Sequence, residues 1–354
     1  MKKFKANLDK LINKGKLGEE LEVGFHDPKT WIHTGNYALN KIISGDFQRG
    51  FPMGKTMILA GDPGSGKSYM ACSIMKNAQP MGILPIILDS EAALDRGFLE
   101  RAGVDTAEDK LLYYGVATVA HCQNLISKVL KGLADIPEEE RTPLLFVIDS
   151  LGMLLTEKEQ KEFTEGKMKA DMGAKAKQLR LFFRMITNQI AKYDAGVIAT
   201  NHTYKGSDMY GNPRTSISGG DGLIYAASIV LMLAKKELKD KALGAKAPTE
   251  GIYVKTKCLK TRFSQPFQRV DMDLPYNGGL DPYSGLLKQF VASGIVSQDH
   301  AWYTVVKTGE KFQSKNFQPI ADSLLKENPD VIPDSTEDNG VEGISATGAQ
   351  LLNE

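Results

Sequence analysis

From residue 54 onward, apolar and polar positions fall into alternating blocks. Residues 54–62 (GKTMILAGD) are a near-continuous apolar run and predict a buried strand; residues 68–79 (SYMACSIMKNAQ) carry apolar positions at helical spacing. The alternation continues with a strand at 85–91 (PIILDSE), a helix at 121–133 (HCQNLISKVLKGL) and a strand at 143–151 (PLLFVIDSL). A helix at 175–193 (KAKQLRLFFRMITNQIAKY) and a strand at 195–202 (AGVIATNH) complete the series. Strands apolar on both faces, set between helices, predict an α/β fold with a mainly parallel central sheet covered on both sides. Residues 252–260 (IYVKTKCLK) and 267–274 (FQRVDMDL) alternate more and predict antiparallel strands at one edge.

The two ends read differently. Phe4, Leu8, Leu11 and Ile12 share one face of an amphipathic helix within residues 1–20. So short a helix is marginal alone, so it must dock, on its own chain or on another. Beyond residue 280 a helix at 284–295, a strand at 301–306 and a helix at 316–327 predict a small α+β C-terminal domain. Residues 331–354 hold Asp334, Glu337, Asp338, Glu342 and Glu354 with no Lys or Arg, and predict an acidic disordered tail. The expected organisation is a docking segment over 1–30, a core over 31–281, a C-terminal domain over 282–330 and the tail.

Composition narrows the classes. The chain has 354 residues, 44 Lys and Arg against 43 Asp and Glu, and 42% apolar residues. A net charge of +1 gives no bulk attraction to nucleic acid, so any basic surface must be local. No apolar run nears the ~20 residues of a membrane span, and MKKFKANLDKLINKGK lacks the apolar core of a signal peptide. Cys72, Cys122 and Cys258 are scattered without ligand spacing, so reduced thiols, no structural zinc and a cytoplasmic setting are expected.

Chemistry concentrates after the first strand. Gly61-Asp62-Pro63-Gly64-Ser65-Gly66-Lys67-Ser68 matches GxxxxGK[ST] between a strand and a helix, with Tyr69 next. Its glycines let backbone N–H groups curl around phosphate oxygens, and the helix N-terminus favours negative charge. Lys67 would reach the β and γ phosphates of ATP and the Ser68 hydroxyl would ligate Mg²⁺. Asp149 ends the apolar strand LLFVID and suits the carboxylate that holds the Mg²⁺ water shell. Glu91, at the carboxyl end of another strand, lies where open α/β sheets bind ligands and where an attacking water needs a base. An ordinary acidic strand end is the alternative.

ILDSEAALDRGFLERAGVD, FVIDSLGML, DMGAKAKQLRLFFRMI, GVIATNHT, MYGNPRTSISGG and GGLDPYSGLL, in this order, resemble the RecA-type recombinases over roughly residues 30–325. NHTY and GGLDPYSGLL resemble the phage, UvsX-like branch more than the bacterial one. The resemblance implies a RecA-type P-loop ATPase core and a DNA-dependent ATPase. It implies that Glu91 is the general base and that Asp95 and Phe98 line the adenine. It makes His202, where bacterial members carry glutamine, a γ-phosphate sensor. Lys260 and Arg262 would reach across a filament interface to a neighbour's ATP, as an arginine finger does. The plain alternatives are a core Phe98, a structural His202 and two solvated cations.

Two segments follow as DNA candidates. Residues 157–172 and 203–220 read as polar loops, mobile until DNA arrives. On the helix between them Leu179, Phe182, Phe183, Ile186 and Ile190 form an apolar stripe, and Lys177, Arg180 and Arg184 share another face. Such a row suits backbone phosphates, or is a solvated basic face. Met209 and Tyr210 are candidates for insertion between bases, with Tyr204, Lys205 and Arg214 in support.

The resemblance implies a helical homo-oligomeric filament on single-stranded DNA that pairs it with homologous duplex. It also implies a single-strand-binding protein, a recombination mediator and a helicase as partners. In the amino-terminal helix it implies a contact with the neighbouring protomer, and for a phage protein the host cytoplasm. A hexameric RecA-fold helicase and a DNA-binding protein with a vestigial ATP site are the alternatives.

Overall fold

The computed structural model describes residues 27–167, 173–207, 213–239, 248–276 and 278–327. The amino-terminal helix within 1–20 and the acidic tail lie outside them. The chain opens with β1 (Trp31–Ile32), α1 (Tyr37–Ser44), β2 (Phe51–Pro52), β3 (Thr56–Gly61), α2 (Lys67–Ala78) and β4 (Leu84–Asp89). It continues through α3 (Arg96–Arg101), β5 (Leu112–Gly115), α4 (Val119–Ala134), β6 (Leu144–Asp149), α5 (Glu157–Thr164) and α6 (Ala174–Lys192). Then come β7 (Gly196–Ser207), β8 (Pro213–Ile217), α7 (Asp221–Ala226), β9 (Ile229–Lys239), β10 (Thr249–Lys260) and β11 (Arg269–Pro275). The last unit is α8 (Leu286–Ala292), β12 (Val296–Asp299), β13 (Trp302–Val305), β14 (Lys311–Gln313) and α9 (Phe317–Glu327).

The central sheet has the order β11-β10-β9-β3-β7-β6-β4-β5. From β9 to β5 every pair is parallel. Strands β10 and β11 are antiparallel at one edge, as their alternating pattern predicts. Successive side chains leave a strand on opposite faces, and the core divides accordingly. Met57 and Leu59 join α1, α2 and the C-terminal elements on one face; Ile58 and Ala60 join α4 and α6 on the other. The C-terminal unit has its own small sheet, β12-β13-β14, but not a separate core. Phe290 of α8 packs 5.4 Å from Phe47 and 6.1 Å from Phe317 of α9, within the first cluster.

Both expected loops contain regular secondary structure among the described residues. Residues 157–164 form α5, because Thr156 makes a capping box: its Oγ1 accepts from Glu159 N at 3.1 Å and its N–H donates to the Glu159 carboxylate at 2.7 Å. Residues 203–207 continue β7, which pairs antiparallel with β8 from Thr203↔Ile217 to Ser207↔Pro213. The segment after His202 is therefore a hairpin. The residue pattern gives no signal for β1, α1, β2, α3, β5, α7, β9, β12 or β14.

Candidate nucleotide and DNA site

Strand β3 is buried along its length and delivers Gly61 to the carboxyl edge of the sheet. Gly66, at φ +91, turns the chain into α2; a Cβ there would sit 3.2 Å from Leu274 Cδ2 in a strained conformation. Lys67 is only 7% exposed, and its Nζ donates to Gly61 O and Asp62 O, both at 2.9 Å. Burial lowers its pKa, opposed by Asp149, Glu91 and Asp62. Ser65 Oγ is buried in the same loop with no hydrogen-bond partner among the described residues.

Asp149 closes β6 and is buried; a cis peptide joins it to Ser150. Burial raises its pKa, while hydrogen bonds from Thr200 and Ser68 oppose the rise. The P-loop hydroxyl and the strand-end carboxylate thus meet directly. Oxygen donors of this kind suit Mg²⁺, which is held by one or two protein oxygens together with phosphates and waters.

Glu91 follows β4. Its backbone N–H donates to Asp89 Oδ1 at 2.7 Å, and Ala92 N and Leu94 N also donate to that carboxylate, at 2.9 and 3.3 Å. Tyr113 Oη donates to Asp89 Oδ2 at 2.5 Å. The Glu91 carboxylate meets His202 Nε2 at 2.8 Å and Ser150 Oγ at 2.5 Å, with Ser150 Oγ 3.2 Å from the imidazole. Gly152 makes room for that ring: a Cβ there would lie 2.6 Å from His202 Cδ2. Ser90 Oγ donates to Ser150 O at 2.7 Å and accepts from Ser150 N at 3.0 Å, stitching the two strand ends together.

The ends of β3, β4 and β6 and the middle of β7 therefore gather Lys67, Ser68, Glu91, Asp149 and His202. Ser150 and Thr200 belong to the same cluster and carry no local sequence signal. Asp95 caps α3, accepting from Phe98 N at 2.7 Å, and Phe98 stands edge-on to Tyr69 at 6.3 Å. A cavity of about 520 Å³ beside α2 is lined by His33, Tyr69, Lys76, Arg101, Tyr276 and Gly279, with neither Asp95 nor Phe98 in its wall.

Lys260 and Arg262 are elsewhere. Lys260 ends β10 opposite Val230, at the start of β9, whereas Gly61 lies opposite Leu233. Lys260 therefore sits three residues along β9 from the level of Gly61, toward the amino ends of β3 and β9. Lys260 Nζ donates to Ile224 O at 2.9 Å and Tyr225 O at 2.8 Å, at the end of α7. Burial, with Arg262 second, pushes its pKa down to about 8.

On α6 the stripe Leu179, Phe182, Phe183, Ile186 and Ile190 is buried, and Lys177, Arg180 and Arg184 are exposed. Tyr204 and Lys205 are exposed on the outer part of β7. Arg214 lies in β8 opposite Gly206. Met209 and Tyr210 lie outside the described residues. Among the described residues no helix is long and apolar enough to cross a membrane.

The family model of the RecA N-terminal domain matches residues 6–281. The "Recombination and repair protein" of Enterobacteria phage T4 is 28% identical over 307 residues, 86% of this chain and 74% of the relative. RecA of Geobacter sulfurreducens is 30% identical over 258 residues, covering 72% of this chain and 70% of its own. RecA of a Nocardioides species is 28% identical over 333 residues, 92% and 86% of the two chains. A P-loop at the head of a parallel sheet, two strand-end carboxylates and a family model spanning the whole core lead to one conclusion: this chain belongs to the RecA family of recombinases.

Proposed function

We propose that this chain is an ATP-dependent recombinase of the phage type, which forms a helical filament on single-stranded DNA and exchanges it into homologous duplex. The observation that carries the reading is the contact of Glu91 with His202, because it joins the carboxylate that follows β4, beside the P-loop lysine, to the strand that becomes the β7–β8 hairpin. In this reading Lys67 and the P-loop N–H groups bind the ATP phosphates, and the cavity beside Tyr69 takes the base. Ser68 and Asp149 would hold Mg²⁺, which would supply positive charge to the phosphates. Glu91 accepts the proton of the attacking water, and Ser150 holds its carboxylate in place.

Lys260 and Arg262 serve the neighbouring protomer's ATP. The position of Lys260, toward the strand ends opposite to the P-loop, supports an action between subunits, and a head-to-tail contact that does not close builds a filament. His202 exchanges Glu91 for the γ-phosphate, and the hairpin with Tyr204, Lys205, Met209, Tyr210 and Arg214 grips DNA, beside Lys177, Arg180 and Arg184 of α6. ATP favours the gripping state and hydrolysis releases it. Residues 1–30 dock on the next protomer, 282–330 form the C-terminal domain, and the single-strand-binding, mediator and helicase partners follow by analogy with the family.

The test is ATP turnover without DNA, with duplex and with single strands at two salt concentrations, followed by strand exchange. Stimulation by single strands that falls with salt supports the reading. Turnover indifferent to DNA contradicts it.

A further inference from the structure

The P-loop is held by both strands that flank it. Strand β3 stops at Gly61, whereas its neighbours β7 and β9 run on past the loop. From β9, Lys235 Nζ donates to Pro63 O at 2.8 Å. From β7, Thr203 Oγ1 donates to Asp62 Oδ1 at 2.7 Å. Lys205 Nζ also lies 3.9 Å from Asp62 Oδ2, but these side chains are 82% and 47% exposed and such a pair contributes little. The Thr203 bond differs: it is part-buried and its acceptor is a carboxylate, so it is charge-assisted.

Its place in the chain gives the bond its interest. Thr203 directly follows His202 and is the first β7 residue paired with β8, opposite Ile217. Adjacent strand residues point to opposite faces. One face of β7 therefore reaches Glu91 through His202, and the other reaches Asp62 through Thr203. A strand held on one face can pivot about that contact, whereas a strand held on both follows the loop.

We propose that Thr203 is a positioning residue that couples the P-loop to the β7–β8 hairpin through Asp62, as a second link separate from His202. Phosphates that draw the P-loop backbone N–H groups around them move the Asp62 carboxylate with the loop. The Thr203 hydroxyl passes that displacement to the base of the hairpin. The inference rests on the reading of the hairpin as a DNA-gripping element.

The experiment uses the full chain as wild type, Thr203→Val and Thr203→Ser. Valine keeps the β-branch and removes the hydroxyl; serine keeps the hydroxyl. Affinity for a fluorescent single-stranded oligonucleotide is measured with ADP and with a non-hydrolysable ATP analogue. Affinity for a fluorescent nucleotide is measured without and with DNA. In Thr203→Val the ratio of the two DNA affinities falls by about fivefold or more, and by reciprocity DNA tightens nucleotide binding less by the same factor. Nucleotide affinity without DNA stays within about twofold of wild type, and Thr203→Ser restores the ratio. Thr203→Ala, which removes the hydroxyl without adding an apolar branch, gives the same loss and stands in if the valine chain does not fold.

A coupled wild type with an unchanged ratio in the valine and alanine variants overturns the Thr203 link alone. Loss of nucleotide affinity without DNA, to the same extent as the loss of coupling, also overturns it, because the bond would then only shape the P-loop. A wild type whose DNA affinity ignores the nucleotide overturns both this inference and the recombinase reading beneath it.

Discussion

Strands β4 and β6 lie side by side, parallel and in register, and each ends on a buried aspartate, Asp89 opposite Asp149. The same position in the sheet yields different chemistry. Asp89 spends its oxygens on the N–H groups of Glu91, Ala92 and Leu94 and on the Tyr113 hydroxyl, so it shapes the loop that presents Glu91. Asp149 accepts from two hydroxyls, Ser68 and Thr200, and keeps the company of the P-loop. One carboxylate is committed to the backbone of its own loop; the other is shared between the P-loop serine and a threonine of β7. A strand that ends in Asp is therefore no evidence of a metal role until its donors are known.

Changing each aspartate to asparagine separates the two roles most strongly. Asp149→Asn lowers DNA-stimulated ATP turnover by ~10²-fold, the upper range for lost support of a metal site. Stability moves the other way. Burial raises the Asp149 pKa from its ordinary 3.8, so its favourable contribution is present at low pH and is lost as pH rises through the raised value. At neutral pH the buried carboxylate is a cost, and the asparagine chain without nucleotide denatures no earlier than wild type. Asp89→Asn puts an amide among four donors and costs about 1–3 kcal/mol, read by denaturant titration. Equal stability changes in the two variants would break the comparison.

Ser150 lies where the two strand ends meet. Ser150→Ala leaves the Glu91 carboxylate with one partner fewer and lowers turnover about tenfold, since a misplacement of ~1 Å can cost as much as 10²-fold. Nucleotide affinity holds, which a general collapse of the site would not allow.

Lys260 tests whether the site is completed from outside the protomer. Its pKa of about 8 means that the native ammonium loses its proton above that pH. DNA-stimulated turnover then falls on the alkaline side, and Lys260→Arg, charged throughout, moves that fall upward by several-fold in proton concentration. The unfolded chain keeps the proton up to about the ordinary 10.5, so this residue's contribution to stability rises over the same window while activity declines. An identical alkaline limb in Lys260→Arg would remove Lys260 from the reaction. The smallest effect belongs to Tyr113→Phe, which takes one donor from Asp89, costs about 1 kcal/mol and leaves turnover nearly unchanged.

The sequence carried the parallel core because buried strands such as LLFVID are apolar on both faces, and it carried the P-loop because its residues are contiguous. It carried the antiparallel edge for the opposite reason, the alternation of β10 and β11. The polar stretch after Asp149 misled, although Thr156 and Glu159 spell the capping box that starts α5. The Gly- and Ser-rich stretch after His202 misled because β7 and β8 pair only with each other there, with no apolar face to mark them. Ser150, Thr200 and the Asp62–Thr203 bond were invisible for a simpler reason. Each joins residues far apart in the chain, and only the order of the strands brings them together.

The most direct test of the account is the Glu91→Gln chain, measured for ATP turnover on saturating single-stranded DNA and for DNA affinity with ATP. The account predicts turnover at least ~10²-fold below wild type, within the range attributed to general-base catalysis, with ATP-dependent DNA binding retained. Wild-type turnover in that chain would contradict it.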